Sequence, residues 1–386
     1  MQNWLTTFNA LKSVYIDEAY SNIAINDAIE QQPSCSASFV RTFTKGVIRD
    51  TIVIDNYIDQ LASKGINGIK NRTLIILRMG IYAIRSLDSV PDYAAVNMAV
   101  NLTNYVAKGN ASFVNAILRS YIRQKDSLVT IHSFPDKLRN LITKQYGQEA
   151  ENIMQSLDVP IPVSIRINRL KANNITFTSF DLNSQEFKDG LFSVQSISSI
   201  EAIESFNPRE GSLVLDMCAA PGGKTCAMAE IMNNKGKIIA CDIHEHRLDL
   251  INSQARRLGI DIIETIKLDG SIFNKNYQNM FDYVLADVPC SGLGVISSKP
   301  EIKLRTNPDE YDSLIEIQKK ILENAIKYCK PGGYIEYSTC TINKDENDAV
   351  VNAVLDACNL AEIVEKKSIL PYNEKIGFYY CILEKK

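Results

Sequence analysis

The chain has 386 residues, which at about 100–200 residues per domain favours two or three domains. Hydrophobic residues make up 45% of it and charged residues 23%, close to the average of soluble globular proteins, so a disordered, fibrous or membrane-embedded chain is disfavoured. The net charge of −3 argues against a uniformly basic nucleic-acid-binding protein, although a total can hide a local patch.

The front of the chain reads as helices, because its apolar residues recur at three- and four-residue spacing, as in Leu5, Phe8, Leu11 and Val14. We therefore predict an all-α domain over residues 1–128. Residues 1–125 carry 13 Lys and Arg against 9 Asp and Glu, a net charge of +4, which leaves −7 for the rest. Residues 93–125 hold four cations and no acid, and we expect them to contact phosphate: Lys108, Arg119, Arg123 and Lys125.

Residues 129–208 combine helical and strand-like patterns and are predicted to form a small α+β element that connects two larger domains. A helical pattern from Lys137 to Leu157 is followed by the β-rich run from Val163 to Asn168.

From residue 209 to residue 386 the sequence alternates between strand, turn and helix, which predicts a parallel sheet covered by helices. The expected parallel strands are Ser212–Met217, Lys237–Asp242, Ile262–Lys267, Phe281–Ala286 and Gly333–Ser338. Glu362–Lys367 and Phe378–Leu383 are joined by a loop too short for a helix, so we expect the sheet to end in an antiparallel hairpin.

The cysteines are concentrated in this last part: eight of the nine lie from Cys218 onward, with no CxxC spacing. An odd number of thiols in a long chain predicts reduced cysteines and a cytoplasmic protein. The first ten residues lack the pattern of a signal peptide and no run of 18 apolar residues occurs, so no membrane partner is expected. His244 and His246 are close in sequence, but no metal site is predicted.

The first predicted parallel strand leads into a loop of small residues before a helix, which predicts a nucleotide-type site. The loop consists of Cys218, Ala219, Ala220, Pro221, Gly222, Gly223 and Lys224. It matches neither GxGxxG nor GxxxxGK[ST], so a hydride-transfer enzyme and an NTPase are disfavoured. Asp242 ends the second strand, where an acid can bind ribose hydroxyls, and Asp269 follows the third, near the adenine position. S-adenosylmethionine fits this set, because it has a ribose and no diphosphate. Alternatively, Asp242 is a solvated strand end and Asp269 a turn residue.

Two further strand ends carry thiols. Asp287 and Cys290 follow the fourth strand and Cys340 follows the fifth, so all three are expected in one cleft at the carboxyl edge of the sheet. A thiolate that adds to carbon 6 of cytosine makes carbon 5 nucleophilic towards a methyl donor, and a carboxyl group can stabilise the developing charge. The second thiol could serve in the elimination. Taken alone, the position of Cys340 at a strand end favours a structural role.

These motifs resemble those of the RNA cytosine-C5 methyltransferases, the family that includes the Nop2/Sun proteins. The resemblance implies that Cys340 is the nucleophile, that Cys290 assists product release and that Asp287 contacts cofactor and base. It also implies that residues 218–224, with Asp242 and Asp269, bind S-adenosylmethionine. Three more residues lie in segments that match the family and are expected near RNA: Arg166, Lys299 and Lys303. Ser297 and Ser298 stand where the family usually has two basic residues.

The front domain resembles the NusB-like domain attached to bacterial 16S ribosomal RNA methyltransferases, through Leu77–Tyr82, Val90–Asn97 and Phe113–Arg119. The resemblance implies a NusB-like RNA-binding domain, a connecting element and a Rossmann-like class I methyltransferase domain. It further implies 5-methylcytidine formation in 16S rRNA or a small-subunit assembly intermediate by a monomeric enzyme. The alternatives are the same chemistry on tRNA or 23S rRNA, and a non-catalytic RNA-binding adaptor.

Overall fold

The computed structural model describes residues 1–172 and 180–386. The chain divides into two compact units: Met1–Asn140 with Ser298–Thr306, and Leu141–Ser297 with Asn307–Lys386. The short segment Ser298–Thr306 therefore belongs to the first unit, although it lies far along the sequence. The three-part division expected from the sequence stays a prediction.

The first unit is helical, as its apolar spacing predicts. Its helices are α1 (Gln2–Tyr15), α2 (Ser21–Glu30), α3 (Ala37–Arg49), α4 (Thr51–Leu61), α5 (Asn71–Ser86), α6 (Asp92–Val106) and α7 (Ala111–Gln124). The boundary between the units falls within α8 (Asp136–Tyr146). The buried faces of these helices form one apolar core, in which the Trp4 and Phe43 rings meet edge to face at 5.1 Å. Such burial is the main source of stability for a helical bundle.

The predicted connecting element contains both helices and strands. It holds α9 (Ala150–Asp158), β1 (Ile165–Ile167), α10 (Gln185–Lys188), β2 (Phe192–Val194) and α11 (Ile197–Phe206). β1 lies within the predicted β-rich run, and its antiparallel partner β2 has no strand signal of its own in the sequence analysis.

The second unit is built on a seven-stranded, mostly parallel sheet, which confirms the predicted Rossmann-like fold class. Its elements from residue 213 onward are β3 (Leu213–Asp216), α12 (Gly223–Ile231), β4 (Lys237–Asp242), α13 (Glu245–Leu258), β5 (Ile263–Lys267), β6 (Phe281–Asp287), α15 (Tyr311–Tyr328), β7 (Cys329–Thr339), α16 (Asp348–Cys358), β8 (Ala361–Ile369) and β9 (Phe378–Lys385). The short helix α14 (Ile302–Arg305) lies between β6 and α15 in sequence but belongs to the first unit.

The strand order is β5-β4-β3-β6-β7-β9-β8, so the last strand inserts between β7 and β8. Both pairings of β9 are antiparallel. The burial of the two strands explains the order: β9 is buried along almost its whole length, whereas β8 is exposed between its two ends. A charged, exposed strand suits the sheet edge, because charges there oppose pairing with another chain.

The structure contradicts the prediction that Arg166 contacts RNA, because its side chain is buried next to the cofactor loop. Its guanidinium donates to both carboxylate oxygens of Glu230, at 3.1 and 2.7 Å, and to the Gly223 carbonyl at 3.0 Å. It also hydrogen-bonds Gln195. Arg166 is therefore not available to a phosphate backbone. It links β1 to α12, the helix that follows the loop.

Two buried carboxyl groups lie at the same level of the sheet, because Asp216 and Glu336 are both in register with Leu285 of β6. Burial raises the pKa of Asp216 to about 7 and the pKa of Glu336 to about 8. Both groups are therefore protonated in mildly acidic solution.

We expect Arg166→Ala to destabilise the protein by about 3–5 kcal/mol, because it leaves the Glu230 carboxylate buried without its partner. Urea-induced unfolding measures this change. Arg169→Ala is the matched control: the Arg169–Glu204 pair is half exposed on both sides and should contribute less than about 1 kcal/mol. Equal losses in the two variants would contradict the structural role of Arg166.

We expect the free energy of unfolding to fall as pH rises from about 4 to 8. The folded protein keeps a proton that the unfolded chain has lost on Asp216 between about pH 4 and 7 and on Glu336 between about pH 5 and 8, and each group contributes a slope of about 1.4 kcal/mol per pH unit within its own window. Glu336→Gln should flatten the part of the curve between pH 5 and 8. Glu362→Gln, on the exposed strand β8, should leave it unchanged. An unaltered slope in Glu336→Gln would show that Glu336 is ionised in the fold.

Candidate active site

A cleft of about 430 Å³ lies at the carboxyl edge of the sheet, where open α/β sheets bind ligands. Its lining comes from the ends of the strands, the segments that follow them, and two helices: Met217, Cys218 and Ala220 after β3; Asp242 and Ile243 at the end of β4, with Arg247 of α13; Leu268, Asp269, Gly270 and Ser271 after β5; Asp287, Val288, Pro289 and Cys290 at and after the end of β6; Ile317 and Ile321 of α15; and Cys340 after β7. The cleft brings the predicted cofactor acids and both predicted catalytic thiols into one space.

The loop after β3 turns sharply so that α12 can begin at Gly223. Gly222 has a φ of 101°, a left-handed conformation that suits glycine, and a Cβ there would come within 3.1 Å of the Ile251 Cα. The Ala219 N–H donates to the Cys241 carbonyl at 2.8 Å, which fixes the loop against β4. A Cβ on Gly223 would meet nothing within 4 Å, so the start of the helix faces open space. A ligand can approach the free N–H groups there.

Asp242 and Asp269 present carboxylates to the same cleft. Asp242 is 4% exposed; it accepts the His244 N–H at 3.0 Å and pairs with Arg247 at 3.1 Å. It is therefore not the solvated strand end of the alternative interpretation. Asp269 accepts both the N–H and the hydroxyl of Ser271, at 2.9 and 2.7 Å, so it does shape a turn while lining the cleft.

Lys224 connects the cofactor loop to the predicted catalytic acid. Its Nζ lies 2.6 Å from Asp287 Oδ2, and the Ser338 hydroxyl donates to Asp287 Oδ1 at 3.1 Å. Burial disfavours the charged amine, but the Asp287 carboxylate outweighs it and raises the pKa of Lys224 above its ordinary value. The sequence analysis places Lys224 in the loop without anticipating this ion pair, which fixes the orientation of the Asp287 carboxylate.

The thiols of Cys290 and Cys340 lie 3.3 Å apart, within hydrogen-bonding distance for sulfur. The hydrogen bond with Cys340, together with burial, raises the pKa of Cys290 well above its usual range. Either sulfur can be the donor in this contact. Burial also raises the pKa of Cys218 well above its ordinary value, consistent with a loop cysteine that contributes backbone rather than a reactive sulfur.

Glu346 is a site residue that the sequence analysis misses. This fully buried carboxylate accepts four kinds of donor, at 2.5–3.0 Å: the N–H and hydroxyl of Ser291, the Gln318 amide and the Asn343 amide. It thus ties the loop that bears Cys290 to the segment after Cys340. A glutamate six residues beyond a candidate nucleophile is the available sequence signal, and it indicates nothing without the fold.

The predicted RNA contacts divide by exposure. Lys108, Arg119, Arg123, Lys125 and Lys299 are exposed on the first unit. Lys303 is wrong as an RNA contact, because it is fully buried and its Nζ lies 4.7 Å from the centre of the Phe134 ring.

The described residues, 1–172 and 180–386, contain no group of three or more His, Cys, Asp or Glu side chains that could hold a metal ion. In the same part of the chain, no helix is both long and apolar enough to cross a membrane.

S-adenosylmethionine fits the residues of the cleft. The open space above Gly223 leaves room next to the loop, and the cleft volume falls in the range of small-molecule sites. Asp242 and Asp269 supply acceptors for ribose hydroxyls and the adenine amine. The thiols of Cys290 and Cys340 line the same cleft.

Comparison with known proteins assigns the chain to a family. Residues 203–382 match the family described as 16S rRNA methyltransferase RsmB/F, and residues 1–123 match the NusB family. The chain is 30% identical to the probable ribosomal RNA small subunit methyltransferase B of Bacillus subtilis, over 98% of this chain and 97% of the relative. It is 27% identical to the ribosomal RNA small subunit methyltransferase B of Photorhabdus laumondii, over 97% of this chain and 100% of the relative.

Two solved structures share the fold. The crystal structure of PH0851 is 22% identical with a TM-score of 0.85 and covers 100% of this chain and 98% of that one. A methyltransferase homologue from Pyrococcus horikoshii is 25% identical with a TM-score of 0.57, over 65% of this chain and 98% of that one. The chain thus belongs to the RsmB/F family of 16S rRNA methyltransferases, as an S-adenosylmethionine-dependent RNA methyltransferase whose helical front is a NusB-family domain.

Proposed function

We propose that this enzyme methylates carbon 5 of a cytidine in 16S rRNA through a covalent bond between Cys340 and carbon 6 of the base. The observation that carries the proposal is the pair of thiols 3.3 Å apart beside Asp287, in the cleft that fits the methyl donor. Two relatives over nearly the whole chain are named as small-subunit rRNA methyltransferases, which supports the RNA class. The acceptor is 16S rRNA or a small-subunit assembly intermediate.

Cys340 is assigned the nucleophilic role because the resemblance of its motif to the family implies it. The hydrogen bond with Cys340 and burial raise the pKa of Cys290, which favours a protonated Cys290 that can donate its S–H to a Cys340 thiolate, the reactive form of a cysteine. Attack on carbon 6 forms the sulfur–carbon bond and shifts the electron pair of the carbon 5–carbon 6 double bond onto carbon 5, in conjugation with the ring nitrogen N3, so carbon 5 becomes nucleophilic.

We assign Asp287 the role of contacting the base near its ring nitrogen N3. Lys224 and Ser338 hold its two carboxylate oxygens, so the group is oriented before the base arrives. An oriented carboxylate can hold a proton on the ring nitrogen, and that proton offsets the negative charge that thiolate addition places on the ring. We assign residues 218–224, Asp242 and Asp269 to cofactor binding, as the fit of the cleft supports.

S-adenosylmethionine, when bound, supplies the methyl group that carbon 5 takes up. Transfer of the carbon 5 proton to solvent then restores the double bond as the Cys340–carbon 6 bond breaks, and the electron pair of that bond returns to the Cys340 sulfur. Cys290 assists this step, because its S–H group, 3.3 Å away, stabilises the departing Cys340 thiolate. The base must be unpaired or flipped out of its helix, since carbon 6 cannot be reached inside a stack.

We expect Cys340→Ala to lower methyl transfer by at least about three orders of magnitude and to abolish the covalent RNA adduct. Cys290→Ala should still form the adduct and accumulate it, because release loses its proton donor. Denaturing gels with labelled 16S rRNA measure the adduct, and labelled S-adenosylmethionine measures transfer.

Cys358→Ala is the control for these variants: this half-buried thiol on α16 is not among the residues that line the cleft, and its loss should change neither signal. Retained turnover in Cys340→Ala would overturn the assignment of the nucleophile. If Cys340→Ala formed the adduct and Cys290→Ala did not, the roles of the two cysteines would be exchanged.

We expect unmodified 16S rRNA, as naked transcript or as small-subunit particle, to receive one methyl group per molecule at carbon 5 of a cytidine. Incubation with labelled S-adenosylmethionine and mapping of the modified nucleotide measure this, with 23S rRNA and tRNA transcripts in parallel. Methylation confined to tRNA or 23S rRNA would overturn the substrate assignment and leave the cysteine chemistry in place.

A further inference from the structure

A concave site on the first unit lies between α6 and α7, which pack against each other. Its volume is about 410 Å³, and its lining combines the aromatic ring of Tyr93, the apolar side chains of Val96 and Ile122, and the guanidinium groups of Arg119 and Arg123. Tyr93 is 72% exposed, so its ring face is open to a ligand. An exposed aromatic ring beside cations is the combination that proteins use to bind single-stranded nucleic acid.

The charges of this site are not neutralised within the protein. Among the described residues, neither Arg119 nor Arg123 forms an ion pair; each donates to a neutral neighbour on its own helix, Asn115 at 3.0 Å and Ser120 at 2.9 Å. The acid at the rim, Asp92, pairs with Lys125 at 3.7 Å. Two guanidinium groups are thus left for a phosphate, which they bind strongly because of their planar fork of donors.

The outer face of α6 continues the site. Tyr93, Asn97, Asn101 and Asn104 are all exposed and, at 100° per residue, fall within an arc of about 80° on the helix. This stripe contains no acid, and exposed Lys108 follows the end of the helix. Asparagine amides offer both donors and acceptors, which suit the edges of unpaired bases. The stripe spans about 17 Å at 1.5 Å per residue, enough for several nucleotides.

We propose that the surface formed by α6 and α7 binds a single-stranded segment of the RNA substrate, with one base stacked on Tyr93 and its flanking phosphates held by Arg119 and Arg123. The apolar side chains of Val96 and Ile122 cover the other parts of the base, and the asparagine stripe receives the neighbouring nucleotides. This proposal rests on the proposed function for the identity of the RNA, but it depends on the first unit alone for the binding.

The test measures binding of unmodified 16S rRNA transcript to the full chain by filter binding across a salt series. Tyr93→Ala should weaken binding about 5- to 100-fold, which is the stacking contribution of one base, whereas Tyr93→Phe keeps the ring and should bind within about twofold of the original protein. Because Tyr93 is largely exposed, its loss should not alter the thermal unfolding of the protein.

The double variant Arg119→Ala/Arg123→Ala should reduce the slope of log affinity against log salt by about 1.4, because each phosphate contact on a single strand contributes about 0.7. Arg41→Ala/Lys64→Ala removes the same charge from two exposed positions of the first unit outside the site, and should leave the slope unchanged. In methylation assays Tyr93→Ala should raise KM for RNA and leave kcat at saturating RNA unchanged.

Unchanged RNA affinity in Tyr93→Ala and in the double arginine variant would overturn the inference and leave a protein partner as the occupant of this surface. A fall in kcat with unchanged KM would also overturn it. The two proposals fail separately: RNA binding that depends on Tyr93 without methylation would count against the proposed chemistry, whereas methylation that ignores Tyr93 would count against the α6–α7 surface.

Discussion

The parallel register of β6 and β7 is the constraint on which the site depends. It sets Asp287 opposite Ser338, and the two strands end at the same edge of the sheet. Three residues beyond Asp287 and two beyond Ser338, the chain carries the two thiols, which meet at 3.3 Å. A shift of one residue in this register would turn the acid to the other face of the sheet. Glu346 holds the two loops together above the strand ends, so the cysteine pair is fixed by the sheet below it and by a buried carboxylate beside it.

The same region concentrates three acids around one lysine. Lys224 forms its ion pair with Asp287, while Asp216 and Glu336 lie deeper, where burial raises their pKa values to about 7 and 8. As long as these two stay protonated, Asp287 does not compete with other carboxylates for Lys224. The buried acids therefore serve the orientation of Asp287 at the expense of stability at higher pH, because the fold has to retain their protons or bury their charges. Sites that orient charged groups in the interior commonly have this cost.

The site residues that could be predicted from the sequence are those that follow the ends of parallel strands. Asp242, Asp269, Asp287, Cys290 and Cys340 could be brought to one cleft because parallel strands share a carboxyl edge, and the structure brings all five there. The sequence did not allow prediction of what depends on side-chain burial: Arg166 and Lys303 carry the charge that RNA contacts need, but the fold turns both inward. Nor could it reveal Glu346, whose role comes from four donors that are distant in sequence, or the insertion of β9 between β7 and β8, which follows from burial of both its faces.

The charge of the cleft explains why RNA contacts are needed elsewhere. Its lining includes the carboxylates of Asp242, Asp269 and Asp287 and one arginine, Arg247, which already pairs with Asp242. Asp287 in turn pairs with Lys224, so neither of these cations is left for a phosphate backbone. In the proposed reaction, taking a base out of its stack also costs a few kcal/mol. This free energy must come from contacts outside the cleft. In residues 1–125, which hold the NusB-family domain, Lys and Arg outnumber Asp and Glu. The exposed cations of this domain have the charge to supply that free energy. The total of −3 conceals this division between a front part with an excess of cations and a remainder with an excess of carboxylates.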